Sequence, residues 1–201
     1  MKIKKVLIAS PEYNQGELRE RQKFAEILLS SGYQPLFPGF QGVPYLELIP
    51  RIIELGYPPE KAELLARAIT NEQGIFKACR LADATLLNLN GRIPDEGSIV
   101  LATYTFASGK PVVVYKQDGR TPLKGRDSPL VEGLGGFKII SDMHEIVKEL
   151  DRIKRRKTLP PDQFVRRITL DIPKSVLNHC VPETRGLENI CRITARDLKL
   201  S

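Results

Sequence analysis

The chain has 201 residues, 41% of them hydrophobic and 27% charged, with a formal net charge of +7. That is enough apolar material for a packed core and too much for a disordered chain, and no apolar run approaches the ~18 residues of a membrane-spanning helix. The charge is uneven: residues 151–201 hold twelve Lys or Arg against six Asp or Glu, leaving nineteen against eighteen for residues 1–150.

In chain order, residues 6–9 form a short apolar run ended by Ser10-Pro11, a first buried strand rather than a signal peptide. Residues 17–31 carry Leu18, Phe24, Ile27 and Leu28 at helical spacing, and Gly32 follows as a stop. Residues 34–37 read as a second strand, closed by Pro38-Gly39. Residues 40–60 are rich in Gly and Pro, an irregular excursion with a short helix over 45–55. Residues 59–82 are helical, with Ala62, Leu65, Ala66, Ile69, Ile75 and Cys79 near one face. Residues 84–89 are a strand, 90–97 a polar loop and 98–108 a helix stopped by Gly109. Residues 111–115, PVVVY, are the continuously apolar strand expected inside a parallel sheet. A loop over 116–130, a short strand over 137–140 and an amphipathic helix over 143–157 complete the main pattern.

Strands alternating with helices predict an α/β fold with a doubly wound parallel sheet of about five strands. The domain is expected over residues 1–153, and a linker with a small basic α+β appendage over 154–201. In the appendage, residues 167–172 read as a strand, 173–180 as a short helix and 183–198 as a second helix. The segment 167–175 resembles the strand-then-helix opening of ribbon-helix-helix DNA-binding modules, although Val181-Pro182 ends the first helix early. The basic tail is therefore either solvated or packed on the protein, or a surface for nucleic acid. Cys79, Cys180 and Cys191 are odd in number and widely spread, with no CxxC pair. They point to a reducing, cytoplasmic setting and away from a disulfide framework or a zinc site. With His144 and His179 the only histidines, no metal or cofactor is expected.

Ligands of open α/β sheets bind at the carboxyl ends of the strands. Two loops qualify, residues 10–16 and residues 88–97. In the second, Asp95-Glu96-Gly97-Ser98 opens a helix whose free N–H groups suit a phosphate or carboxylate. Asp95 has two readings there, a helix N-cap and a carboxylate holding sugar hydroxyls. Gly91-Arg92 offers a cation to a phosphate or an exposed loop arginine. Tyr104 lines either a pocket or the core.

Residues 82–97, ADATLLNLNGRIPDEG, and 109–120, GKPVVVYKQDGR, together resemble the signature of the nucleoside 2-deoxyribosyltransferase family. Ala9-Ser10-Pro11 with Glu17, Gly32-Tyr33 leading to Leu36-Phe37-x-Gly39, and residues 128–133, SPLVEG, fit the same pattern. The resemblance covers about residues 5–150 and none of the tail. It implies a flavodoxin-like fold, a homo-oligomer and a nucleoside or nucleotide ligand. It also implies cleavage of the N-glycosidic bond by a Glu nucleophile attacking C1′ through an oxocarbenium-like transition state.

Carried over residue by residue, the resemblance makes Asp95 the surviving acidic site residue. Ser10, Pro11, Asn88, Asn90, Gly91, Gly97, Ser98, Asp118, Arg120 and Ser128 are the other candidates for ligand binding. The nucleophile position, four residues after Gly97, is Leu101, which cannot attack C1′. The family's first-strand Tyr falls at Leu7, its third-strand Asp at Asn88 or Asn90, and its orienting Asn near Ser128. Four changes of one kind imply that the parent chemistry is reduced, altered or lost, or that Glu12, Glu17, Glu96 or Glu132 has taken over.

Overall fold

A computed structural model describes residues 3–91, 95–119, 127–155, 186–188 and 191–192. The chain divides into two compact units, residues 1–36 with 78–170, and residues 37–77 with 171–201. The boundary expected after residue 153 lies inside the last described helix of the first unit, which ends at Arg155. The strand and first helix expected at 167–180 lie outside the described residues, as does most of the helix expected at 183–198.

The first unit is built on five parallel strands: β1 (Lys5–Ala9), β2 (Gln34–Leu36), β3 (Ala84–Asn88), β4 (Val112–Tyr115) and β5 (Ile139–Ile140). Their order, β2-β1-β3-β4-β5, is the flavodoxin-like one. The strands align Ile8 with Leu86, Leu87 with Val114 and Asn88 with Tyr115. Val6 through Ala9, all of β3 and all of β4 are buried, because helices cover both faces of the sheet.

Among the described residues, the α-helices accompanying the strands are α1 (Gln15–Ser30), α2 (Tyr45–Glu54), α3 (Pro59–Phe76), α4 (Glu96–Ala107), α5 (Pro129–Leu134) and α6 (Glu145–Arg155). Helix α1 starts earlier than its apolar spacing predicts. The Asn14 side chain accepts from the N–H groups of Gly16 and Glu17, while Glu17 reaches back to the N–H of Asn14, a complete capping box. Helix α4 likewise begins at Glu96, because Asp95 caps it. Helix α5 falls partly within the expected loop and was not anticipated. It has only six residues, and its Pro129 start and Gly133 hide any periodicity. Its end lies close on β4: a Cβ at Gly135 would stand 2.7 Å from Val114 Cγ2.

The sheet sorts its side chains strictly. Leu7, Ala9, Leu87, Val112 and Val114 face α4 and α5, where they meet Ala102, Ile99, Leu101, Val131 and Leu134. Thr85 and Thr105 close that packing with a hydroxyl pair at 2.7 Å. Tyr115 faces the other way and stacks edge-on against Phe24 of α1, with ring centroids 5.1 Å apart.

In the second unit, Leu48 and Ile52 of α2 pack on Ala62, Leu65, Ala66 and Ile69 of α3, with Phe40 and Cys191. The buried Lys77 ammonium donates to the carbonyls of Phe37, at 2.9 Å, and Gly39. The excursion that reads as irregular in sequence therefore has its own core, carried by α2 and α3.

Candidate functional site

The carboxyl ends of β1 and β3 carry Ser10 and Asn88, both buried. A buried amide is costly unless its donors and acceptor are paired. Asn88 Nδ2 donates to Ser10 Oγ at 3.0 Å and to Glu20 Oε2 at 2.7 Å, and Asn88 Oδ1 accepts from the Asn90 N–H at 3.0 Å. Asn90 repeats the arrangement one step outward. Its Nδ2 donates to Glu20 Oε1 at 2.6 Å, and its Oδ1 accepts from the N–H groups of Gln117, at 2.7 Å, and Asp118, at 3.0 Å. One carboxylate on α1 thus ties together the loops after β1, β3 and β4. Burial, with the nearby Glu20 charge, raises the Tyr115 phenol above its ordinary range, while a hydrogen bond with Asn90 opposes the shift.

The second part of the edge is the start of α4. Asp95 Oδ2 accepts from the Ser98 N–H at 2.7 Å, the cap that sequence spacing predicts. Asp95 Oδ1 accepts from the Tyr13 hydroxyl at 2.6 Å. Tyr13 is 81% exposed, and its phenol is pushed up to about 12, chiefly by that hydrogen bond to Asp95. Glu17, through the N–H groups of Tyr13 and Asn14, fixes the backbone from which Tyr13 reaches out.

Beneath the cap stands Leu101, half-buried and packed into two apolar clusters at once. One contains Ala9, Leu87 and Ala102; the other contains Leu7, Ala78 and Ala82, with Tyr104. Tyr104 therefore packs against the core.

Three of the four other acidic candidates are engaged elsewhere. Glu12 pairs with Arg21, Glu17 closes the capping box, and Glu132 accepts from the Asp127 N–H at 3.2 Å. Glu96 is exposed on the first turn of α4, as its position predicts.

Of the sequence-predicted residues, Ser10, Asn88 and Asn90 come together, and Asp118 joins them through its backbone. Asp95, Gly97 and Ser98 form the α4 start, with Gly97 on its exposed first turn. Pro11 is buried directly after Ser10, and Gly91 adopts φ +124° beyond Asn90. Ser128 stands at the N-cap of α5, where its carbonyl accepts from Val131 and Glu132 at 2.9 Å each, apart from the asparagine network. Arg120 and Arg92 lie outside the described residues.

Sequence reading missed Glu20, Tyr13 and the buried ion pair of Lys116 with Asp127 at 2.6 Å. Glu20 left a signal. It lies four and eight residues before Phe24 and Leu28, so the inward stripe of α1 carries a carboxylate at its site end. Among the described residues, no group of three or more His, Cys, Asp or Glu is placed to hold a metal, and no helix is long and apolar enough to cross a membrane.

No family model and no curated protein matches the chain. Solved structures do. A conserved protein from Enterococcus faecalis V583 superposes with a TM-score of 0.53 at 16% identity, over 76% of this chain and 99% of that one. A 2-deoxyribosyltransferase from the psychrotolerant bacterium Bacillus psychrosaccharolyticus has a TM-score of 0.46 at 16% identity, over 71% of this chain and 90% of that one. The CMP N-glycosidase of Clostridium botulinum has a TM-score of 0.43 at 12% identity, over 75% and 99%. The first of these shows a fold that the chain shares.

Proposed function

We propose that the protein is nucleoside 2-deoxyribosyltransferase-like, that it binds a nucleoside or nucleotide at the carboxyl edge of its sheet, and that it has lost or reduced the N-glycosidic cleavage of that family. The observation that carries this reading is Leu101 at the nucleophile position, packed into apolar clusters on both sides. The signature motifs, the Asp95 cap and the strand order support the binding half of the proposal. The loss of the nucleophile supports the other half, because covalent glycosyl transfer needs a carboxylate within reach of C1′.

The test has two arms. Calorimetry with a panel of nucleosides and nucleotides is expected to find a ligand, and chromatography of the same mixtures, with and without acceptor bases, is expected to find no free base. No affinity for any of them overturns the binding reading. Free base released by the wild-type protein overturns the loss of cleavage. Leu101→Glu then asks what was inherited: cleavage created by that one change means that the pocket is intact and only the nucleophile is missing.

A second reading rests on the charge of residues 151–201, twelve Lys or Arg against six Asp or Glu. It makes the tail a nucleic-acid contact, with binding that weakens steeply as salt rises. Deleting residues 158–201 without changing a salt-dependent DNA or RNA affinity excludes it. We further propose a homo-oligomer working in the cytoplasm, with residues 1–153 as the ligand-binding domain. Light scattering on the purified chain reads the oligomeric state directly.

A further inference from the structure

We propose that Glu20 is the ligand-facing carboxylate of this edge, accepting hydrogen bonds from neutral donors on the bound nucleoside. The inference rests on the pocket reading above and deepens it. Its starting point is a matched pair of changes. Asn88 and Asn90 supply no negative charge at the end of β3, yet each aims its Nδ2 at one oxygen of Glu20, at 2.7 and 2.6 Å. An Asp at either position would repel Glu20, whereas an amide donates to it. The charge at the end of β3 therefore comes from α1, and the two asparagines are the residue type that holds it there.

Among the described residues, the arrangement leaves Glu20 unfinished. An ionised carboxylate has about four acceptor positions, and Asn88 and Asn90 each fill one. The side chain is half-buried, so it is neither sealed in the core nor loose in solvent. The asparagines are fixed at their other ends too, by the Asn90, Gln117 and Asp118 N–H groups. The carboxylate is thus preorganised, which limits the ordering cost of binding. Its remaining acceptor positions suit O–H or N–H donors and disfavour phosphate. On a nucleoside such donors come from two sources, the sugar hydroxyls and the exocyclic amine of a base.

Titration calorimetry separates the sources. Wild type and Glu20→Gln are compared with cytidine, 2′-deoxycytidine and uridine, and with adenosine, 2′-deoxyadenosine and inosine. Loss of the donor that Glu20 holds is expected to weaken wild-type binding about tenfold or more. In the sugar arm the deoxynucleosides weaken; in the base arm uridine and inosine weaken. In Glu20→Gln the same ratio is expected to fall to within about twofold. A ratio of affinities is insensitive to the folded fraction of the variant. Should the variant not fold, carbodiimide labelling of Glu20 in the wild-type protein, read by mass spectrometry, replaces it and is expected to slow when nucleoside is bound. Binding with the same ratio in both proteins, or labelling that ligand does not slow, overturns the inference and leaves the pocket reading standing. No binding by any of the six nucleosides overturns the inference, and no binding by the corresponding nucleotides either overturns both.

Discussion

On the α1 side of the sheet, the carboxyl ends of the strands carry Ser10, Asn88 and Tyr115, and a carboxylate reaches in to meet them. On the α4 side, the same strands carry Leu7, Ala9 and Leu87, and Leu101 fills the space above them. The polar side is closed by directional bonds: the side-chain amides of Asn88 and Asn90 are aimed at Ser10 and Glu20. The apolar side is closed by contact alone. The resemblance in sequence implies a charged residue on α4. The structure has an apolar one there, and a carboxylate on α1 instead.

The comparison breaks most visibly if the polar side tolerates a second charge. Asn88→Asp removes the donor to Ser10 and Glu20 and sets a like charge beside Glu20 in a buried position. It is expected to destabilise the protein by about 3 kcal/mol at neutral pH, measured by urea unfolding. A cost below about 1 kcal/mol means that the amide is not there to hold one carboxylate. On the apolar side, Leu101→Ala deletes half-buried packing atoms. It is expected to cost about 2 kcal/mol, the lower end for a leucine, without weakening nucleoside binding. A fall in affinity at unchanged stability puts Leu101 in contact with ligand and redraws the boundary between the two sides.

How far this contrast is legible in sequence depends on which physics produced each side. The sheet is legible because β1, β3 and β4 are apolar runs bounded by turns, and burial on both faces writes that pattern directly. The Asp95 cap is legible because capping is local, set by spacing of three residues. Glu20 is not, because its partners are 68 and 70 residues away and a single charged residue in a helix has many uses. Helix α5 is lost for another reason: six residues give no period to read. Helices α2 and α3 and the apolar face of α3 are legible from spacing, but that they form a core of their own is not, because Gly and Pro make the stretch before α3 read as an irregular excursion.

A carboxylate outside both sides calibrates the contrast. Glu149 of α6 lies against Arg152 and Lys138, and Arg152 above all holds its carboxyl down, to about 2. A folded-state value below the ordinary one stabilises the protein above the ordinary carboxylate range. That contribution is lost as pH falls towards about 2. Its two partners are 50% and 38% exposed, so solvent weakens the pair. Glu149→Gln is expected to cost about 1.5 kcal/mol at pH 7 and almost nothing near pH 2, in thermal unfolding at each pH. Nucleoside affinity is expected to be unchanged, whereas every Glu20 variant should alter it.

The smallest effect tests where the two sides meet. Tyr13 reaches over from the loop before α1 and occupies Asp95 Oδ1, while Oδ2 is held by the Ser98 N–H. Both oxygens of the Asp95 cap are therefore engaged, and a ligand hydroxyl that binds Asp95 has to displace or share the Tyr13 bond. Tyr13→Phe removes a hydrogen bond made largely in water, so the stability cost is expected to stay near or below about 0.5 kcal/mol. Nucleoside affinity is expected to rise about twofold, because the ligand no longer competes with the phenol for Oδ1. Calorimetry on the variant reads this directly. A fall in affinity instead shows that the Tyr13 hydroxyl touches the ligand itself, which would extend the polar side of the edge across to α4.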